Sequence, residues 1–211
     1  MTTFTRALRR RSARRIAAMG VVAAGALLLA ACGDNGHDMS GMDHGSGRSS
    51  ATATAEAGDF NDADVTFAQM MLPHHQQAVE MARLADGRAS DTEIKDLAGT
   101  IEKAQDPEIT TMTGWLNSWG KPAAAGSMAG MDMGGDGMMS DKDMKELKAM
   151  KGTEFDKMFA QMMIDHHNGA IDMARTEQKS GRNTDAQTMA DGIVKGQSAE
   201  VKQLQGILDR L

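Results

Sequence analysis

Two histidine pairs carry most of the chemical potential of this 211-residue sequence: His74-His75 and His166-His167, each standing four residues after a methionine pair, Met70-Met71 and Met162-Met163. Residues four apart share one face of an α-helix, so each segment would align two thioethers with two imidazoles. Met81 and Met173 follow at matching places further along the same faces. Imidazole binds copper, zinc, nickel and iron, whereas thioether selects Cu(I), and the mixed set therefore favours copper. Zinc fits less well, because its protein sites draw mainly on Cys, His and carboxylate. A single histidine or methionine stripe on an apolar face is ordinarily core packing; the duplication of both argues for ligation. By position, His74 and His166 should point deepest, with His75 and His167 nearer the edge.

Gln105 with Glu108, and Gln197 with Glu200, form two i, i+3 pairs at matching places. They either fix helix register by polar bonding or stand behind the ligands and orient the imidazoles. A ferritin-like di-metal redox enzyme is the alternative reading, but it needs Glu-x-x-His on two helices. Met71, Leu72, Met163 and Ile164 occupy the places three residues before the histidines. Nucleophilic catalysis lacks a constellation, so a binding protein is expected and not an enzyme; a metal-free structural module is the remaining class.

Two stretches without bulky apolar residues, HDMSGMDHGSG (37–47) and GSMAGMDMGGDGMMS (126–140), cannot build a core. Their His37, Met39, Met42, His44, Met128, Met131, Met133, Met138 and Met139 would be auxiliary collectors that concentrate copper near the paired residues. A solvated tether and linker with incidental methionine is the plain alternative, and a methionine sink for oxidants another.

The segments that carry the pairs are copies. FAQMMLPHHQQAVEMAR (67–83) recurs 92 residues later as FAQMMIDHHNGAIDMAR (159–175), with 11 of 17 positions identical. The same offset relates Asp64 to Asp156, Ile101 to Ile193, Gln105 to Gln197, Glu108 to Glu200 and Leu116 to Leu208. Each copy reads as two amphipathic helices. Asp64, Phe67, Met70, Met71, His74, Ala78, Met81 and Ala82 share one face of the first helix. In the second, Ile94, Leu97, Ile101, Gln105, Glu108, Met112 and Trp115 do so, matched by Ala186, Met189, Ile193, Gln197, Glu200, Leu204 and Leu208. Asp91 is placed to start one helix, and TDAQ (184–187) to form a capping box for another. Pro73 predicts a kink or a break before the first histidine pair. The economical architecture is all-α: a four-helix bundle built from two duplicated hairpins (62–120 and 153–211) with pseudo-two-fold symmetry. A Met/Gly-rich linker (121–152) joins them, ending in a short helix that offers Met144, Leu147 and Met150 for docking.

Residues 1–32 read as a lipoprotein signal: six arginines, an apolar run at 16–31, and a Leu29-Ala30-Ala31-Cys32 ending that resembles a lipobox. The run is short for a membrane span, and Cys32, the only cysteine, would be the lipidation site. Residues 33–60 would form a flexible tether and 61–211 the bundle. The expected protein is exported and lipid-anchored to the outer face of the cell membrane, or periplasmic or extracellular. The leader takes six of the 23 basic residues and none of the 29 acidic ones, leaving a net charge of −12 beyond it. Such a balance disfavours nucleic acid and suits cations.

The doubled F-A-Q-M-M-x-x-H-H-x-x-A-x-x-M-A, the GTEFD (152–156) before its second copy, and the two Gln-x-x-Glu pairs resemble the domain-of-unknown-function 305 family over nearly all of 62–211. The resemblance implies a ferritin-like helical bundle that is often exported. From the family's copper-binding members it implies ligand roles for His74, His75, His166 and His167 and for Met70, Met71, Met81, Met162, Met163 and Met173. Copper buffering, tolerance or delivery would follow, delivery requiring a copper-transfer partner.

Overall fold

Five helices and no strand make up the described residues, 59–123 and 137–211, of this computed structural model. Cys32, His37, Met39, Met42, His44, Met128, Met131 and Met133 lie outside them. Helices α1 (Asp62–Leu84) and α2 (Thr92–Ser118) form the first hairpin, and α4 (Gly152–Ser180) and α5 (Thr184–Leu208) the second. The short α3 (Asp141–Ala149) belongs to the linker. Helix α1 packs on α2 and α4, α4 also on α5 and α3, and α2 meets α5, which closes a four-helix bundle. No described helix is long and apolar enough to cross a membrane.

Helix starts follow from their caps. Asn61 and Asp64 exchange bonds in a capping box at α1, Ser140 and Asp143 do the same at α3, and Asp91 accepts from Glu93 N and Ile94 N at α2. At α5 the cap is Asn183, one residue before the expected Thr184: its side chain accepts from Asp185 N and Ala186 N, and Gln187 bonds Gly181 O at 2.9 Å instead of reaching back to its own cap. Asn183 is the repeat mate of Asp91, so both second helices start at the same register. Helix α1 runs through Pro73 without a break. Apolar residues buried on both sides of the proline, Met71 and Leu72 before it and Ala78 and Val79 after it, hold the two flanks in one helix.

The repeat generates a crossed pair of clamps. Asp64, at the start of α1, accepts from Arg182 N at 2.9 Å and Asn183 N at 2.8 Å in the α4–α5 loop. Its mate Asp156, in α4, accepts from Ser90 N at 3.1 Å, from Asp91 N at 3.0 Å and from the Ser90 hydroxyl in the α1–α2 loop. Each hairpin thus ties down the turn of the other. Both carboxylates are fully buried, a costly placement that only such donors make tolerable. Burial acts to raise the pKa of Asp64, and hydrogen bonds from the Asn61, Asn183 and Arg182 backbones and the Glu177 side chain outweigh it and leave it lowered.

Two apolar clusters fill the bundle. One joins Phe67, Met71, Met112, Leu116 and Ile193; the other joins Met81, Ile101, Phe155, Phe159, Met163 and Leu204. Each long helix contributes to both, and between its two contributions lies a short polar stretch. Helix α3 buries Met144 and Leu147 in the second cluster, with Met150 partly buried beside them. Before it, Gly137 adopts φ +76° and lies against α4 so closely that an added Cβ would meet the Asp165 carbonyl at 2.6 Å. Only glycine fits there. Met139 exchanges two bonds with the Gln77 amide, at 2.7 and 2.8 Å, and packs on the second cluster. It is a docked residue and not a free collector.

Candidate metal centre

The polar stretches of the four long helices meet at mid-height as a belt: His74 and His75 from α1, Gln105 and Glu108 from α2, His166 and His167 from α4, Gln197 and Glu200 from α5. Across the pseudo-two-fold, the rings of His74 and His166 lie 3.7 Å apart between centroids, tilted by 40°. His75 Nε2 pairs with Glu108 Oε2 at 2.7 Å, and His167 Nε2 with Glu200 Oε2 at 2.7 Å. These two contacts are repeat copies of one another. A small cavity of about 110 Å³ between α2 and α5 is lined by both glutamates and both glutamines.

All four imidazoles are buried to 1% exposure or less, so the expected contrast between deep and edge histidines does not appear in burial. It survives in direction, since His75 and His167 face partly exposed glutamates while His74 and His166 face each other. The glutamates act on the histidines directly, fixing the orientation of each ring. Neither glutamate has a histidine three residues on; their histidine partners come instead from the other helix of the hairpin. The glutamines do not take that role through oxygen, because Oε1 of Gln105 and of Gln197 is buried without a hydrogen-bond partner.

With Nε2 engaged, Nδ1 of His75 and of His167 is left buried and unpartnered. Neither nitrogen of His166 makes a well-formed hydrogen bond, its polar neighbour being the His74 backbone. Burial, followed by the proximity of His74, His167 and His75, pushes His166 well below the ordinary histidine pKa. Neutral, orphaned imidazole nitrogens are what a metal ion requires of a ligand. Among the described residues, however, no three His, Cys, Asp or Glu side chains converge as a ready metal site.

The candidate methionines do not gather at one point. Met71 belongs to one apolar cluster, and Met81, Met162 and Met163 to the other, so they bracket the belt from both sides. Met70 and Met173 are half-buried and line a lateral cavity of about 530 Å³. That cavity also exposes Glu177, which sequence reasoning missed although it continues the inward stripe Ala170, Ala174. Glu177 is 1% exposed, and neither of its oxygens makes a hydrogen bond of good geometry. Burial, then the neighbouring Asp64, raises its pKa from the ordinary 4.5 to about 8.

The fold and belt define a class: a duplicated all-helical bundle with a layer of buried histidines paired to partly exposed glutamates. Residues 64–208 match the model of the domain of unknown function DUF305, and the chain belongs to that family. It is similar to a DUF305 protein of Streptomyces coelicolor described as secreted, at 33% identity and a TM-score of 0.65, over 70% of this chain and 93% of that one. A DUF305 fragment of Deinococcus radiodurans is 27% identical, with a TM-score of 0.66 over 72% and 98%. CopM in its Cu(I)-bound form is 32% identical, with a TM-score of 0.59 over 70% and 96%. CopM has also been crystallised with Cu(II) and with Ag. Among curated proteins none matches.

Proposed function

We propose that this chain is an extracytoplasmic, lipid-anchored copper-binding protein, taking Cu(I) through the paired histidines and the methionines beside them. It buffers the ion or hands it to a transfer partner, without turnover. The observation that carries the reading is the mirrored layer of four buried imidazoles, in which His75, His166 and His167 hold unpartnered ring nitrogens, bracketed by thioethers. Similarity to CopM, crystallised with Cu(I), Cu(II) and Ag, supports the same soft-metal chemistry. Anchoring at Cys32 rests on the lipobox-like leader, and similarity to a protein described as secreted supports export.

The test is competition for Cu(I) against a bicinchoninate chelator, with helicity monitored by circular dichroism. Replacing His74, His75, His166 and His167 by Asn should abolish the tightest cuprous binding. The milder pair His75→Asn with His167→Asn, which keeps hydrogen-bonding capacity toward Glu108 and Glu200, should weaken it ten-fold or more. Wild-type affinity in a folded quadruple variant would end the proposal. Oxygen consumption with bound iron or manganese would favour the redox enzyme instead.

A further inference from the structure

The duplication gives every surface of one hairpin a mate on the other, and the groove between α1 and α4 illustrates this. Its one half, formed by the end of α1 and the start of α4, receives α3: Met144 and Leu147 pack with Met81, Phe159 and Met162, and Lys148 pairs with Glu80 at 2.6 Å. The 92-residue offset carries Met81 to Met173, Phe159 to Phe67, Met162 to Met70 and Glu80 to Asp172. Those four mates line the lateral cavity of about 530 Å³, which no described element covers.

The two halves carry matching acids: Asp62 and Asp172 stand at the rim of the open half, and their repeat mates are Glu154 and Glu80. Where the α3 side has Ala85, the open side has the buried carboxyl of Glu177, which adds no charge while it holds its proton. No Lys or Arg lines it; Arg175 meets the rim residue Asp172 at 3.3 Å on the exposed surface. An apolar floor under an acidic rim is the complement of an amphipathic helix with a cation beside its apolar face. Helix α3 is such a helix, with Met144 and Leu147 followed by Lys148.

We propose that this open half-groove is a docking site for an amphipathic helix of a partner protein that carries a lysine beside its apolar face, patterned like α3. The inference shares Met70 and Met173 with the copper reading but uses no metal, so its test is run on metal-free protein and the two readings fail separately.

The probe is a synthetic peptide of residues 140–152, SDKDMKELKAMKG, titrated into the full chain carrying ¹³C-methyl methionine. The Met70 and Met173 methyl signals should shift and saturate while those of Met81 and Met162 stay in place. A peptide with Met144→Ser and Lys148→Glu should produce no shift. Thr66→Lys, placing a cation in the cavity wall, should abolish binding, and Asp172→Lys, on the exposed rim, should weaken it at least five-fold with helicity unchanged. The proposal is overturned if Met70 and Met173 do not respond, or if Met81 and Met162 respond in their place. It is equally overturned if both charge variants bind as wild type, or if octylamine shifts the two methyls and the peptide does not, which would make the cavity a small-cation site.

Discussion

Glu177 shows how one residue can depart from the symmetry of its own repeat. Its mate is Ala85, so the second clamp, Asp156, has no counterpart to the carboxyl that stands beside Asp64. With its pKa raised from 4.5 to about 8 by burial and by Asp64, Glu177 is protonated in the folded chain across a range where the unfolded chain has already lost the proton. The folded state binds more protons there, so stability falls as pH rises. The contribution is complete below about 4.5 and is lost as pH climbs through about 8. Glu177→Gln cannot ionise and keeps the shape of the site. Its melting temperature should therefore hold between pH 5 and pH 9 where the wild type declines by several degrees relative to it, and parallel melting profiles for the two proteins would refute the assignment. His166, held neutral in the fold, acts on the acid side instead, destabilising as pH falls; it is present in both proteins and cancels in the difference. The histidine pairs were legible in the sequence because repetition marked them. Their glutamate partners were legible as matched residues only, since a bond across 33 positions has no signature in helical periodicity.

At the scale of elements, the crossed clamps decide how the hairpins meet. Helix propensity and apolar stripes can form each hairpin, but many rotations of one against the other would bury comparable area. Asp64 and Asp156 select one of them, because each must reach the backbone donors of the opposite loop. Replacing either by Ala leaves buried N–H groups without acceptors, at a cost of about 2–4 kcal/mol each. Urea unfolding should show that loss in both single variants, and the double variant should lose more than the sum if the clamps cooperate in docking. A change under about 0.5 kcal/mol in both single variants would mean that the apolar clusters alone set the arrangement. The stripes and the repeat offset made helices α1, α2, α4 and α5 legible, and the spacing of Met144, Leu147 and Met150 made α3 so. The clamp partners were hidden because an aspartate on an inner stripe does not say which loop it will bind. The shift of the α5 cap from Thr184 to Asn183 arises the same way: two adjacent residues could cap, and the tertiary bond from Asp64 to Asn183 N fixes the turn that presents Asn183.

For the whole molecule, the proposed copper reading raises a question of place: whether ions bound at the belt and ions bound at the Met/His-rich stretches can be told apart. Thermodynamic linkage separates them. A ligand raises the melting temperature only by binding the folded state better than the unfolded one. The belt exists only when four helices are assembled, since His74 and His166 come from different hairpins and meet within 3.7 Å. The stretch at 37–47 and the linker residues Met128, Met131 and Met133 offer their ligands from segments without the apolar residues a core needs, so folding changes their affinity little. Cu(I) at about 100 times the dissociation constant of the belt should stabilise the chain by about 2.7 kcal/mol, equivalent to roughly 5–11 °C. Replacing His37, Met39, Met42, His44, Met128, Met131 and Met133 by Ser should lower the number of cuprous ions bound per chain and leave that thermal gain intact. Met138 and Met139 are kept in this variant, because Met139 is docked on Gln77 and its loss would disturb α3. Differential scanning calorimetry alongside metal analysis reads both quantities from one sample. A thermal gain that disappears with the substituted stretches would move the principal site out of the bundle; an unchanged copper count would leave those stretches as spacers.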